Sequence, residues 1–252
     1  MSKGANNTPR TRRSKAEVHE GKHIKDKFIE QREDEINSKA IKPMNAKQKH
    51  YIDMFNNPDC GLILATGWAG SSKTFIPTSL ACDMLKLGKI DKIVFTRPNI
   101  SNSKSLGFYG GSLIEKMSNW LMPVMDILKD RLGASALELY IKHGDILFIP
   151  LEVVKGYSAE NCVFLCDEAE DLTIEEAKKL VTRQGKNCKM ILAGDITQSE
   201  LKDKSGLKYL MDMARKYDNL SLGLVDFNEV SDIVRSDQVK QWIIAFQKEG
   251  SK

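Results

Sequence analysis

The chain has no apolar run approaching the roughly 20 residues that a bilayer-spanning helix needs, and its N-terminus is polar, without a signal-peptide core. A membrane role is therefore not expected, and a cytoplasmic location is. Cysteine is sparse. Cys60, Cys82, Cys162, Cys166 and Cys188 lie far apart or inside apolar runs and form no C-x-x-C pair. That argues against a disulfide scaffold or a zinc module and predicts reduced, mostly buried thiols. His19, His23, His50 and His143 make no ligand cluster, so a metal site built from His and Cys is not expected either. An excess of one charge is also missing from most of the chain. Residues 1–42 hold 11 Lys/Arg and 7 Asp/Glu, whereas residues 43–252 hold 27 of each, so the formal net charge of +4 belongs to the N-terminal segment. A neutral body offers no strong electrostatic footprint for nucleic acid. No internal repeat and no low-complexity block is visible.

The apolar content, 41% of 252 residues, is that of a globular chain with room for one large domain or two small ones. Residues 1–20 are nearly free of large apolar side chains and are expected to be disordered. Arg10, Arg12, Arg13 and Lys15 read either as a solvated tail or as contacts to a nucleic-acid backbone. Residues 22–38 are strongly charged, with Ile24, Phe28 and Ile36 on one side of a frayed helix, and Pro43 closes the region. The expected division is a charged extension over 1–42 and one domain over 43–252.

The stretch around which that domain is organised is Ala65-Thr66-Gly67-Trp68-Ala69-Gly70-Ser71-Ser72-Lys73-Thr74. It follows the apolar run Gly61–Leu64, which reads as a buried strand, and precedes Phe75–Leu85, where apolar residues recur at helical spacing. A Gly-rich turn between strand and helix is the setting of a phosphate-binding loop, in which successive backbone N–H groups and the positive end of the helix face an anion. In the pattern G-x-x-x-x-G-K-[ST], Lys73 reaches the β- and γ-phosphates and Thr74 coordinates Mg²⁺. Gly67, Trp68, Ala69, Gly70, Ser71 and Ser72 supply the cradle. Ser72 departs from the pattern, which has Gly there; its Cβ would crowd the phosphate or strain the turn. The competing reading is a Gly/Ser-rich turn that binds nothing.

Upstream, Asn45 is placed to cap a helix running to about Asn56, with Tyr51, Met54 and Phe55 on its apolar face. Gln48 in that helix reads either as a surface residue or as an amide that contacts the adenine edge. Downstream, Lys92–Pro98 reads as a second buried strand that ends in a turn, and Arg97 at its carboxyl end is well placed for a ligand. The long polar loop Asn99–Ser112 is of a length that is usually functional. Helices are expected over Leu113–Leu132 and Ser135–Lys142. A strand follows at Ile146–Ile149, then Pro150 and a turn near Lys155-Gly156.

The second informative segment is Cys162-Val163-Phe164-Leu165-Cys166-Asp167-Glu168. Five apolar residues make a central strand, and two carboxylates emerge at its end. Alone, this reads equally as an acidic cluster at a helix N-terminus. Beside a phosphate loop, Asp167 holds Mg²⁺ and Glu168 orients and polarises a water. Thr173, with Glu176 three residues on, forms a capping box for a helix to about Gln184. Lys189–Asp195 is another strand ending in a polar turn. From that turn Gln198 can hydrogen-bond a γ-phosphate or the lytic water. Ser205-Gly206 opens a helix through Leu207, Leu210, Met211 and Met213; Ser221–Phe227 is a last strand, and a final helix ends near Gln247. Alternating strands and helices give an α/β fold with a parallel sheet between helix layers.

Several of these segments together resemble the PhoH-like family of ATPases, relatives of the core domain of superfamily 1 helicases. The likeness spans nearly all of residues 44–247. It is carried by the loop Gly67–Thr74, Val94–Pro98, Leu106-Gly107-Phe108 through Glu115-Lys116, Asp167–Glu170, Leu180–Gly185, Gly194–Gln198, Ser205–Leu207 and Asp232–Arg235. The resemblance implies a single RecA-like phosphate-loop NTPase domain that binds ATP and Mg²⁺. It points to Gln48, the loop, Arg97, Asp167, Glu168, Gln198 and Arg235 as its site. Arg235 is the first candidate to stabilise charge in the transition state, and Arg97 or Arg183 the second; a surface ion pair is the plain alternative for each. The resemblance also implies RNA or single-stranded DNA as partner and a homo-oligomeric ring, most plausibly a hexamer. The sequence departs from the family pattern at Ser72, at Glu170, where Gln is usual, and at Lys155-Gly156-Tyr157, where the family has Arg-Gly-Arg.

Overall fold

A computed structural model describes residues 32–98, 113–154 and 156–250, with the side chains of 113–121 and 247–250 excepted. The expectations for residues 1–20, for the loop 99–112, for the side chains of Trp120 and Leu121 and for Lys155 lie outside the described residues. Residues 32–38 form helix α1. It belongs to a unit ending at Ala40, separate from the compact unit that begins at Ile41.

The larger unit is built on a six-stranded sheet. Its strands are β1 (Leu62–Gly67), β2 (Lys92–Thr96), β3 (Ile146–Phe148), β4 (Cys162–Cys166), β5 (Cys188–Gly194) and β6 (Leu222–Phe227). They lie in the order β3-β2-β4-β5-β1-β6, and every pairing is parallel. Parallel strands are covered on both faces, which is why β1 and β4 read as unbroken apolar runs rather than as alternating ones. Successive side chains nevertheless go to opposite faces. Ile63 and Ala65 enter one core with Phe95, Val163, Leu165, Ile191 and Phe227. Leu62 and Leu64 enter the other with Val94, Phe164, Met190 and Leu192.

The first face is covered by α2 (Ala46–Asn56), α3 (Phe75–Lys86), α4 (Leu113–Leu132) and α5 (Ala134–His143) through Tyr51, Phe55, Ile76, Leu128 and Leu137. The second is covered by α6 (Leu151–Val154), α7 (Ile174–Val181) and α8 (Gly206–Lys216) through Leu151, Leu180, Leu207 and Met211. Helix α9 (Asp237–Gly250) closes the chain.

The caps are those that the residue types dictate. The Asn45 side chain accepts from the Gln48 N–H at the start of α2, and Thr173 with Glu176 forms a complete capping box on α7. Helix α7 stops at Val181, three residues before the expected Gln184. There the Thr182 hydroxyl donates to the Lys179 carbonyl at 2.9 Å, and the Gln184 amide donates to the Cys188 carbonyl at 2.9 Å, so the chain turns towards β5. Between Pro150 and the expected turn near Lys155-Gly156 lies the short helix α6, which the sequence did not signal. All five cysteines are free and buried.

Candidate functional site

The carboxyl ends of β1, β2, β4, β5 and β6 converge at one edge, the usual ligand edge of an open parallel sheet. The loop after β1 turns at Gly67 (φ +125°) and Gly70 (φ +81°). A Cβ at Gly67 would run into the Phe227 carbonyl of β6, and one at Gly70 into the Arg235 side chain, so both turns need glycine. The segment after β6 holds the loop from outside. The Trp68 N–H donates to the Phe227 carbonyl at 3.0 Å, and the Val234 N–H to the Gly70 carbonyl at 2.9 Å. Inside the loop the Ser71 hydroxyl donates to the Trp68 carbonyl at 2.8 Å.

Lys73 points into the loop. Its ammonium donates to the Gly67 carbonyl and, at 2.9 Å, to the Trp68 carbonyl. Burial lowers its pKa below the ordinary lysine range, while Asp195, Glu170 and Asp167 pull it back up. A buried ammonium held only by carbonyl oxygens and a hydroxyl is the group that phosphate oxygens would recruit. The Thr74 hydroxyl donates to Asp167 Oδ1 at 2.9 Å. The hydroxyl, from the loop after β1, and the carboxylate, from the end of β4 on the far side of β5, are hard oxygen donors and suit Mg²⁺, which keeps several waters and phosphate oxygens in its shell rather than filling an all-protein cage. No cluster of three or more His, Cys, Asp or Glu ligands occurs among the described residues.

Ser72 adopts φ +70°, the left-handed region that favours glycine, so its Cβ is strained as the sequence pattern suggested. Its hydroxyl lies 3.5 Å from the Gln48 amide nitrogen. Gln48 is 3% exposed and is not a surface residue, contrary to the plainer of its two sequence readings. Its amide oxygen accepts the Met44 N–H at 2.9 Å. Tyr51, one turn further along α2, donates its buried hydroxyl to the Lys73 carbonyl at 3.0 Å. The sequence marked Tyr51 as core only. An aromatic with a polar tip on the helix that precedes the loop was the available signal.

Glu168 follows Asp167 with φ +50°. Its carboxylate is ion-paired with Arg97 at the end of β2. Burial raises its pKa; Arg97 opposes the rise, and Asp167 and Asp171 add to it. Past β5, Asp195 organises the next turn. Its Oδ1 accepts from the Thr197 N–H at 3.1 Å, and its Oδ2 accepts the Gln198 amide at 2.7 Å. Asp195 was not singled out from sequence, although a Gly-Asp pair at a strand end is a recurrent turn opener. Arg235 is exposed and packs its aliphatic stem over Gly70. Gln48, the loop Gly67–Thr74, Arg97, Asp167, Glu168, Gln198 and Arg235 thus lie at the carboxyl edge or on the segments that touch it. Arg183 does not: its carbonyl accepts the Ala159 N–H at 3.1 Å ahead of β4, at the amino edge of the sheet, so it is not a candidate for transition-state charge within this chain's own site.

A family model described as PhoH-like protein matches residues 40–247. The chain is 32% identical over 236 residues to a PhoH-like protein of Bacillus subtilis, covering 93% of this chain and 72% of that one. It is 33% identical over 216 residues to Protein PhoH of Escherichia coli K12, covering 84% of this chain and 60% of that one. Superposition on the Sulfolobus solfataricus SWI2/SNF2 ATPase core, solved with double-stranded DNA, gives a TM-score of 0.40 at 13% identity over 81% of this chain and 44% of that one.

Proposed function

The chain belongs to the PhoH-like family, and on that premise we propose that it is a Mg²⁺-dependent ATPase whose turnover is coupled to RNA or single-stranded nucleic acid. The observation that carries the reading is the meeting of the Thr74 hydroxyl and Asp167 Oδ1 at 2.9 Å beside the buried Lys73. A triphosphate cradled at Lys73 would lie within one metal ion's reach of Asp167.

Mg²⁺ bound there would neutralise phosphate charge and orient the triphosphate. The protein's own residues do the rest. The loop amides and Lys73 bind the phosphates. Thr74 and Asp167 hold the metal. Glu168 orients a water and takes its proton, once Arg97 has released its carboxylate. Gln198, fixed by Asp195, faces the same water or the γ-phosphate. Arg235, lying over Gly70, is the first candidate for transition-state charge, a role worth about 10³–10⁵ in rate where it has been measured. Gln48 would read the adenine edge after giving up its contact with Met44.

The nucleic-acid partner and a homo-oligomeric ring of six follow from the family resemblance, and the cytoplasmic location from the reading of the cysteines as reduced thiols. In that ring a neighbouring copy would wall the open side of the ATP site. A second reading, an ATP-binding switch with little turnover that recruits a protein partner, is favoured by one observation: Arg97 occupies the carboxylate that turnover needs.

Phosphate release from Mg-ATP, measured with and without RNA, separates the two. Stimulated release that is lost in Glu168→Gln with ATP binding kept supports the motor. Absence of release in the unaltered protein under every condition supports the switch. Light scattering with bound ATP analogue tests the ring; a monomer at micromolar concentration overturns it.

A further inference from the structure

Glu170 lies three residues beyond Asp167, in the short 3-10 turn Ala169–Asp171, and no step assigned above uses it. It is 6% exposed, and its Oε2 has no hydrogen-bond partner among the described residues. A buried carboxylate oxygen left unpaired is costly. Its place is specific: the carboxyl group sits against Gly194, where any Cβ would collide with it, and the Asp195 N–H faces it. The backbone on either side is tied to the same neighbour. The Ser199 hydroxyl donates to the Glu170 carbonyl at 2.8 Å, and the Glu200 N–H donates to Asp171 Oδ1 at 3.2 Å. The turn that carries Glu168 and the turn that carries Gln198 are therefore joined, and the Glu170 side chain is at the centre of the joint.

We propose that Glu170 is a positioning residue of the hydrolytic site, whose buried carboxyl group bridges the Asp167–Glu168 turn to the Gly194–Asp195 turn in its neutral, acid form and so sets Gln198 relative to Glu168. The inference rests on the hydrolytic reading of the site. The neutral form follows from what surrounds the group. Its own segment presents Glu168 and Asp171, the β5 turn presents Asp195, β4 presents the Cys166 thiol, Leu207 of α8 packs at the same glycine, and among the described residues Lys73 is a facing cation. Burial first, and then Glu168 and Asp171, push the Glu170 carboxyl up to about 7, against the backbone N–H groups of Glu170 and Asp195. As an acid it no longer buries an unpaired charge and it gains an O–H donor, the kind of group that a Gln amide would supply there.

The test compares the unaltered protein with Glu170→Gln and Glu170→Ala. A carboxyl whose pKa is higher in the folded than in the unfolded chain costs stability as pH rises from the unfolded value towards the folded one, and that cost is constant above it. Glu170→Gln should therefore melt with the parent at pH 5 and above it, by roughly 5 °C, at pH 8. In turnover, Glu170→Gln should keep kcat within about threefold and lose the parent's decline between pH 7 and 8.5. Glu170→Ala should lower kcat at least tenfold with little change in KM. The inference is overturned if the Gln-minus-Glu melting difference is the same at pH 5 and pH 8, if Glu170→Gln loses turnover, or if Glu170→Ala turns over like the parent. Melting needs no turnover. A protein that hydrolyses nothing would therefore sink the hydrolytic reading, and the melting comparison would still decide the acid bridge.

Discussion

Arg97 and Glu168 form an ion pair across the carboxyl ends of the adjacent strands β2 and β4. Arg97 is what opposes the upward push of burial, Asp167 and Asp171 on the Glu168 carboxyl. Arg97→Ala removes that opposition, so the Glu168 pKa rises further and a larger share is protonated at mildly acid pH. A protonated Glu168 cannot accept a proton from water. Phosphate release followed from pH 5.5 to 8.5 should show the acid limb of kcat displaced to higher pH in Arg97→Ala, with the values at pH 8 least affected. An unmoved acid limb would mean that the pair is absent from the working enzyme.

Lys73 and the Thr74–Asp167 pair make nucleotide binding measurable as stability. A ligand at about 100 times its Kd adds about 2.7 kcal/mol, which for a chain of this size is roughly 5–10 °C. Mg-ATP analogue should raise the melting temperature of the unaltered protein by that order. Lys73→Ala should abolish the rise, and chelating the metal should reduce it. Asp167→Asn should behave like chelation, because it weakens the metal's carboxylate ligand and leaves the loop intact.

Much of this edge was legible before the fold was known. Buried parallel strands must be apolar throughout, so Cys162–Cys166 announced a central strand, and the two acids at its end marked the edge where a ligand would bind. The loop was legible because Gly67 and Gly70 are required by backbone geometry. What stayed hidden depends on strand order and burial. Nothing local says that β2 lies beside β4, so the meeting of Arg97 with Glu168 could not be read. Gln48 and Glu170 look like surface residues by type. Gln48 is buried because a backbone N–H close by, that of Met44, satisfies its amide, and Glu170 because the bare Cα of Gly194 makes room for it. The four-residue helix α6 is too short to leave a periodic signal.

Ser72 offers a test of strain in the loop. An L-residue in the left-handed region costs about 1–2 kcal/mol relative to glycine there, less what glycine gives back in unfolded-chain entropy. Ser72→Gly should therefore raise stability by roughly 1 kcal/mol, about 2–4 °C. It should also tighten nucleotide binding, since the Cβ near the phosphate site is gone. Ser72→Ala keeps the strained Cβ and discards the hydroxyl that faces Gln48. It should gain nothing in either measurement, and equal gains in both variants would show that the hydroxyl, not the backbone, sets the cost.

Asp83 on α3 and Arg131 on α4 form a salt bridge with side chains 14% and 5% exposed. They are 48 residues apart in sequence, and the pairing exists only because these two helices pack side by side over the same face of the sheet. Removing Arg131 takes away the ion-pair partner of the part-buried Asp83 carboxylate, which costs about 3–5 kcal/mol. Arg131→Ala should thus lower the melting temperature by roughly 10 °C or more, and Asp83→Ala by less, because Arg131 keeps a further interaction. Replacing both with apolar residues of like volume, Asp83→Leu with Arg131→Met, removes the desolvation cost along with the attraction. The double variant should fall near the unaltered protein in stability, because such swaps are often neutral or favourable. The pair lies away from the phosphate loop, so nucleotide-induced stabilisation should be unchanged in the double variant. A double variant as unstable as the singles would show that the bridge contributes net stability beyond relieving its own burial.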